Sequence, residues 1–167
     1  MIDIVVPFYN DKDEHWKKIM YEYMEKEGSS DRQVIGEERY RDWDCFKYWF
    51  RGIENNCKWV NKVFLLVANE TQIPDWLNTD YEKLRIVLHK EYVPKELLPT
   101  FNPMTIGAFI GYIPDLSDNY IACDDDYYLN KELEEKEHSK YYHDKVLYIY
   151  NSGREDSLTW KSQRGEI

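Results

Sequence analysis

Positive charge is scarce in this chain. Lysine and arginine number 22 against 32 aspartates and glutamates, for a net charge of -10 and a pI near 4.9. That balance excludes a general nucleic-acid binder and a protein that coats anionic membranes. Cysteine is sparse too: Cys45, Cys57 and Cys123 are odd in number, far apart and without a Cys-x-x-Cys pair. They read as reduced core thiols of a cytosolic protein, not as a disulfide frame or a thiolate metal site. Long apolar runs are missing. The longest, Thr105 to Ile113, is about half of the roughly 20 residues that cross a bilayer. No secretory leader is expected, because Asp3 stands where a basic segment and an apolar run would begin. No internal repeat occurs, and the only biased segment is the charged run Lys131 to Lys140, which reads as a solvated helix.

What is present is enough to fold. At 167 residues, 43% hydrophobic and 16% aromatic, the chain reads as one domain over residues 1–167 with a real core. Its most informative stretch is Tyr120-Ile121-Ala122-Cys123, a short strand with nothing charged, which runs directly into Asp124-Asp125-Asp126. Acid is thereby placed at the carboxyl end of a strand, the edge where open α/β sheets bind ligands. Two carboxylates about 4 Å apart repel by roughly 4 kcal/mol at an effective dielectric near 20, so a cluster of three calls for a cation. Mg²⁺ or Mn²⁺ carrying sugar-nucleotide phosphates would answer that, one or two carboxylates being the usual protein share of such a site. A solvated acidic turn is the alternative. An EF-hand is excluded, since Leu129 stands where its loop needs glycine.

Other strand ends repeat the pattern. Ile2 to Phe8 is an apolar opening strand, followed by Asn10 and Asp13. Asp13 reads either as the N-cap of a helix over Glu14 to Lys26 or as part of a ligand site with Asn10. Val63 to Ala68 is a continuous apolar strand buried on both faces, ending in Asn69-Glu70-Thr71-Gln72. Leu84 to His89 is the next strand, with His89 as a structural histidine at its end, and one helical turn is expected over Pro74 to Leu77. Between the first two strands, Ser29 to Glu38 is a polar loop. Phe46, Trp49, Phe50 and Ile53 then share one face of an amphipathic helix expected from about Asp42 to Asn56 with an acidic first turn. Arg51, at the edge of that face, is either a snorkelling surface residue or a bidentate clamp for phosphate or carboxylate. Val146 to Tyr150 is a last strand, and Trp160 to Arg164 is by default a frayed end.

Five blocks together carry a resemblance. They are Ile2 to Pro7 with Asn10 and Asp13, Arg39 to Glu54, Gln72-Ile73-Pro74-Asp75-Trp76-Leu77-Asn78, Leu98 to Asn102, and Ile121 to Asp126. In order and spacing they resemble the Stealth family of bacterial capsular-polysaccharide phosphotransferases, similar to the catalytic region of GlcNAc-1-phosphotransferase. The resemblance implies an α/β fold with a mostly parallel central sheet flanked by helices, of the nucleotide-diphospho-sugar transferase (GT-A or Rossmann-like) kind. It implies transfer of hexose-1-phosphate or N-acetylhexosamine-1-phosphate from a nucleotide sugar, a UDP-sugar first among them, to a glycan acceptor in capsular or exopolysaccharide biosynthesis. The setting would be cytoplasmic or peripheral at the inner membrane. Carried over by position, Arg51, Asp126 and Asp13 are the catalytic candidates. Asn10, Asn69, Gln72, Thr100 and Asn102 would bind substrate, and Asp124, Asp125 and Asp126 would hold Mg or Mn.

The chain also departs from the family pattern. Gly107, Gly111 and Tyr112 stand where the family has a Glu and then a His and an Arg, and Asp124 replaces an asparagine. One extra residue lies near Asn69. Two further family motifs, bearing a His and an Arg, are not in these 167 residues; a shortened version or a partner that supplies them are the two readings. The alternatives are therefore a metal-dependent GT-A glycosyltransferase, favoured by the Ile4 to Asn10 opening and the Asp-x-Asp, and a non-catalytic nucleotide-sugar-binding relative, favoured by Gly107 and Gly111.

Overall fold

The computed structural model describes residues 1–26 and 41–132, together with the strand segments 142–143 and 146–147. The expected loop over Ser29 to Glu38, the charged run Lys131 to Lys140 beyond its first two residues, and the Trp160 to Arg164 end lie outside the described residues.

A six-stranded sheet forms in the order β3-β2-β1-β4-β6-β5. Its strands are β1 (Asp3–Pro7), β2 (Val63–Val67), β3 (Leu84–Leu88), β4 (Tyr120–Ala122), β5 (Tyr142–His143) and β6 (Val146–Leu147). Pairing is parallel from β3 through β2, β1 and β4 to β6, and antiparallel only between β5 and β6. The central strands are apolar because both faces are covered. Ile4, Val6, Leu65, Val67 and Ile121 face one layer and Val5, Phe64, Leu66 and Val87 the other, as the two-residue period of a strand requires.

Helices α1 (Glu14–Lys26) and α2 (Phe46–Asn56) follow β1, and the short α3 (Pro103–Ala108) follows β3. Phe46, Trp49 and Ile53 of α2 are buried against the first layer. Each such side chain withdrawn from water is worth about 1.5–3 kcal/mol. Ile110, Ile113 and Leu116 fill the second layer. At the amino edge of β1 the buried Asp3 carboxylate accepts from Asn61 Nδ2 at 2.8 Å, Lys62 N at 3.1 Å and Ser117 N at 2.8 Å, which fixes the entries to β2 and β4 on either side.

One expected boundary is corrected. The helix anticipated from Asp42 begins at Phe46, and its first turn carries no acid. Asp44 sits at φ 58, a left-handed conformation that cannot continue a right-handed helix. Asp42 and Asp44 are used instead to tie the approach to α2 onto the loop after β1: the Asp42 N–H donates to Asp11 Oδ2 at 3.0 Å, and Lys12 pairs with Asp44. The turn at Pro74 closes with a single bond, Leu77 N to Pro74 O at 3.0 Å, and is not a helix.

Candidate functional site

In the order β3-β2-β1-β4 the chain builds outward from β1 to one side and then returns to the other. The carboxyl ends of β1 and β4 therefore flank the point where an open α/β sheet forms a ligand crevice. From β1 comes the loop Phe8 to Asp13. From β4, after Cys123 N donates to Val5 O at 2.9 Å, comes Asp124-Asp125-Asp126.

The acidic turn is held from behind. Leu129 crosses α2 at Gly52, where an added Cβ would lie 3.1 Å from Leu129 O, and Asn56 Nδ2 donates to that same oxygen at 2.5 Å. Asp124 and Asp126 are exposed and Asp125 is half-buried. Burial first, then the charges of Asp126, Asp124 and Asp42, push the Asp125 carboxyl up to about 6. Asp124 is raised by burial and by Asp126. Asp42 is raised by burial, Asp11 and Asp44. Acid from three segments thus shares one field, and Asp11, Asp42 and Asp44 are members that reading the strand ends alone did not find. Among the described residues no three acidic, histidine or cysteine side chains are arranged to hold a metal ion. The three consecutive aspartates do not form a preassembled three-carboxylate cage.

The loop after β1 is locked to the loop after β2. Gln72 is fully buried; its Oε1 accepts from Asn10 N at 2.8 Å, and its Nε2 lies 3.3 Å from Asn10 O and 3.0 Å from Asp13 Oδ2. Asp13 Oδ1 caps α1 by accepting from Trp16 N at 2.9 Å, and its Oδ2 also takes the Thr71 hydroxyl. Burial alone would raise the Asp13 carboxyl, but the donors Thr71, Gln72 and Trp16 N outweigh it and hold it below the usual range. Asn69 Oδ1 accepts from Thr71 N at 2.8 Å, and Asn10 Oδ1 from Lys12 N at 3.1 Å. Gln72 has no surface to offer a ligand. With Asp13 it holds the crevice wall that exposes Asn10.

The remaining expected residues fall elsewhere. Thr100 and the buried His89 line a cleft of about 350 Å³ at the ends of β2 and β3, with Trp16, Ala68, Leu98 and Pro99, and with Lys90 and Lys95 at its border. Burial pushes His89 down to about 4, in keeping with a structural role. Asn102 is exposed and caps α3, accepting from Met104 N at 2.9 Å. Arg51 is exposed on α2; its guanidinium lies 5.3 Å from the Tyr48 ring centroid and makes no ion pair with the described residues. All three cysteines are free, and burial raises Cys57 to about 11. No described helix is long and apolar enough to cross a membrane.

Residues 39–148 match the family profile described as Stealth protein CR2, conserved region 2. The chain is similar to the capsular polysaccharide phosphotransferase WcwK of Streptococcus pneumoniae, 40% identical over 77% of this chain and 38% of that protein. It is similar to the exopolysaccharide phosphotransferase cps2G of Lactiplantibacillus plantarum, 37% identical over 79% of this chain and 37% of that one. A third relative, the capsular polysaccharide phosphotransferase eps5J of Streptococcus thermophilus, is 34% identical over 90% of this chain and 63% of its own length. The chain thus spans less than two thirds of the length of these relatives.

Proposed function

This chain belongs to the Stealth family, and from that membership we propose that it is the core of a phosphotransferase of capsular or exopolysaccharide biosynthesis. The reaction moves hexose-1-phosphate or N-acetylhexosamine-1-phosphate from a nucleotide sugar to a glycan hydroxyl. The acceptor oxygen attacks the sugar-bearing phosphorus, the bond to the nucleoside phosphate breaks, and a phosphodiester and a nucleoside monophosphate leave. One observation carries the reading: a concentrated, incompletely neutralised acidic turn at the switch point of a parallel sheet. The similarity to capsular polysaccharide and exopolysaccharide phosphotransferases supports it.

Each residue then has a task. Asp124 and Asp126, both exposed, would hold a divalent Mg or Mn ion, which would supply positive charge to the diphosphate. Asp125, the half-buried carboxylate between them, would be the base for the acceptor hydroxyl, since a base must stand within hydrogen-bond reach of the proton it takes. Asp13, its carboxylate occupied by the helix cap, Thr71 and Gln72, positions the loop. Asn10 presents its side chain to the donor, and Asn69 and Asn102 stand at neighbouring loop ends. Adjacent strands are about 4.8 Å apart, so the ends of β4 and β2 are roughly 10 Å apart, a span that suits a nucleoside diphosphate reaching from the acidic turn to the Thr100 cleft with Lys95 near its anionic part. Arg51 serves the phosphoryl oxygens by turning off Tyr48 when the donor is bound. Nucleotide sugars as donors place the work on the cytoplasmic side, free or peripheral to the inner membrane.

Calorimetric titration of UDP-N-acetylglucosamine and other UDP-sugars, with and without Mn²⁺, tests this on the wild type and on Asp126→Ala. Metal-dependent binding that disappears in the variant is the expected result. Absence of binding under every metal condition would overturn the transferase reading. With an acceptor glycan present, release of UMP marks phosphoryl transfer, release of UDP marks glycosyl transfer, and binding without either marks a non-catalytic relative.

A further inference from the structure

Trp43 is 71% exposed, more than any other large hydrophobic residue of the described chain except Met1. It is nevertheless held in place. On one side the Asp42 N–H is bound by Asp11 Oδ2 at 3.0 Å, and on the other Asp44 is paired with Lys12, with the left-handed backbone at Asp44 turning the chain between them. Both tethers lead to the loop after β1, so the indole stands on the rim of the switch-point crevice. The Arg41 guanidinium lies 4.1 Å from the indole centroid. The ring is covered on one face by Arg41 and carried on a backbone tethered at both neighbours, and at 71% exposure most of its remaining surface is open to solvent. Tyr127 and Tyr128, 49% and 38% exposed, follow the acidic turn on the opposite rim.

We propose that Trp43 is the stacking platform for a neutral sugar ring of the acceptor glycan, with the adjacent Asp42 accepting the ring's hydroxyls. The inference rests on the transferase reading above and adds the acceptor's place to it. Charge argues for this occupant. Asp44 is paired with Lys12 and Arg41 lies over the indole, so beside Asp11 and Asp42 the rim has no surplus of positive charge with which to bind an anion, whereas an uncharged polyol can donate its hydroxyls to those carboxylates. An aromatic face beside hydrogen-bond acceptors matches the two chemistries of a pyranose, the C–H face and the hydroxyl edge. A donor diphosphate has no such match here, so the two substrates are sorted by charge to different parts of the crevice.

Saturation-transfer-difference NMR on the whole chain tests the platform, with lactose, maltose and diacetylchitobiose as probes. Saturation of the aromatic protons should reach the ring C–H protons of at least one disaccharide. Trp43→Ala should cut that transfer roughly fivefold, as loss of one aromatic stacking partner predicts, and Trp43→Phe should keep a substantial part of it. Equal transfer in wild type and Trp43→Ala, or none to any probe in the wild type, would overturn the proposal. UDP-N-acetylglucosamine with Mn²⁺ is titrated in parallel. Donor binding with no effect of Trp43 sinks the platform alone, and Trp43-dependent transfer without donor binding sinks the transferase reading and leaves a glycan-binding site.

Discussion

Gln72 grips the Asn10 peptide from both sides, its Oε1 2.8 Å from Asn10 N and its Nε2 3.3 Å from Asn10 O, across 62 residues of sequence. A side-chain amide here does what a neighbouring strand does two residues earlier, extending the β1–β2 pairing past the last ladder bond, Phe8 N to Leu66 O. The crevice wall is thereby tied to the sheet beneath it.

Gln72→Ala removes that grip, empties a fully buried site, and leaves the half-buried Asn10 N–H and Asp13 Oδ2 each one partner short. The cost is expected to be about 2–4 kcal/mol, from the unsatisfied groups together with the cavity. Urea denaturation measures it. Nucleotide-sugar affinity should fall in the same variant although Gln72 touches no ligand, because Asn10 loses its fixed position.

The organisation of the sheet was legible and the wiring of the crevice was not, for physical reasons that particular residues show. Val63 to Val67 could be read as a doubly buried strand because burial on both faces demands an unbroken apolar run. Asp124 to Asp126 could be placed at a strand end because the change from apolar to acidic is abrupt. Asp42 could not be assigned to the same field, since its neighbours in space, Asp11 and Asp125, are set by the left-handed turn at Asp44, and Asp is as common in helix first turns as in loops. The resemblance implies that Gln72 binds substrate, whereas its amide is buried against Asn10 and Asp13; whether an amide faces ligand or loop is decided by one rotamer, which spacing does not encode.

The buried His89 and the half-buried Asp125 should bend the pH dependence of stability in opposite directions. His89 is pushed down to about 4 when folded. Between that value and its unfolded value near 6.5 the unfolded chain binds more protons, so acidification through this window removes up to about 3 kcal/mol. Asp125 is raised to about 6. Between the ordinary aspartate value and about 6 the folded chain binds more protons, so its contribution falls as pH rises through that window. Unfolding curves from pH 4 to 7 should accordingly show Asp125→Asn losing stability on acidification more steeply than wild type, and His89→Leu losing less. Identical slopes in all three proteins would contradict both assignments.

Two glycines within helices should respond oppositely to alanine. Gly107 of α3 has open space where a Cβ would go, so Gly107→Ala should stabilise by about 0.5–1 kcal/mol through helix propensity and a stiffer unfolded chain. Gly52 of α2 faces the Leu129 carbonyl at 3.1 Å from the Cβ position, and Asn56 holds that carbonyl where it is. Gly52→Ala must push the segment behind the acidic turn, and a net loss of about 1 kcal/mol is expected as overpacking offsets the gain in propensity. Thermal melts compare the pair directly. A stabilised Gly52→Ala would mean that Leu129 yields freely and does not brace the turn.

The last prediction separates a carboxylate that holds the site from one that would act in it. Asp13→Asn can still cap α1 through its remaining oxygen. Its new amide would then face Gln72 Nε2, which donates to Asp13 Oδ2 at 3.0 Å, while the Thr71 hydroxyl can turn its proton to Asn69 Oδ1 at 2.6 Å and accept. Donor against donor in a half-buried pocket should cost about 1–3 kcal/mol of stability, with UMP release falling as the loop loses its fix. Asp125→Asn keeps the shape and removes a charge that burial and its neighbours already oppose, so its melting temperature at pH 7.5 should rise. UMP release should nevertheless fall roughly 100-fold or more, the usual scale for losing a general base. Stability and initial rate, measured on the same preparations, distinguish the two. If Asp13→Asn kept full stability while losing turnover, the proton acceptor would have to be returned to Asp13; if Asp125→Asn kept turnover, the half-buried aspartate would be only a member of the acidic field.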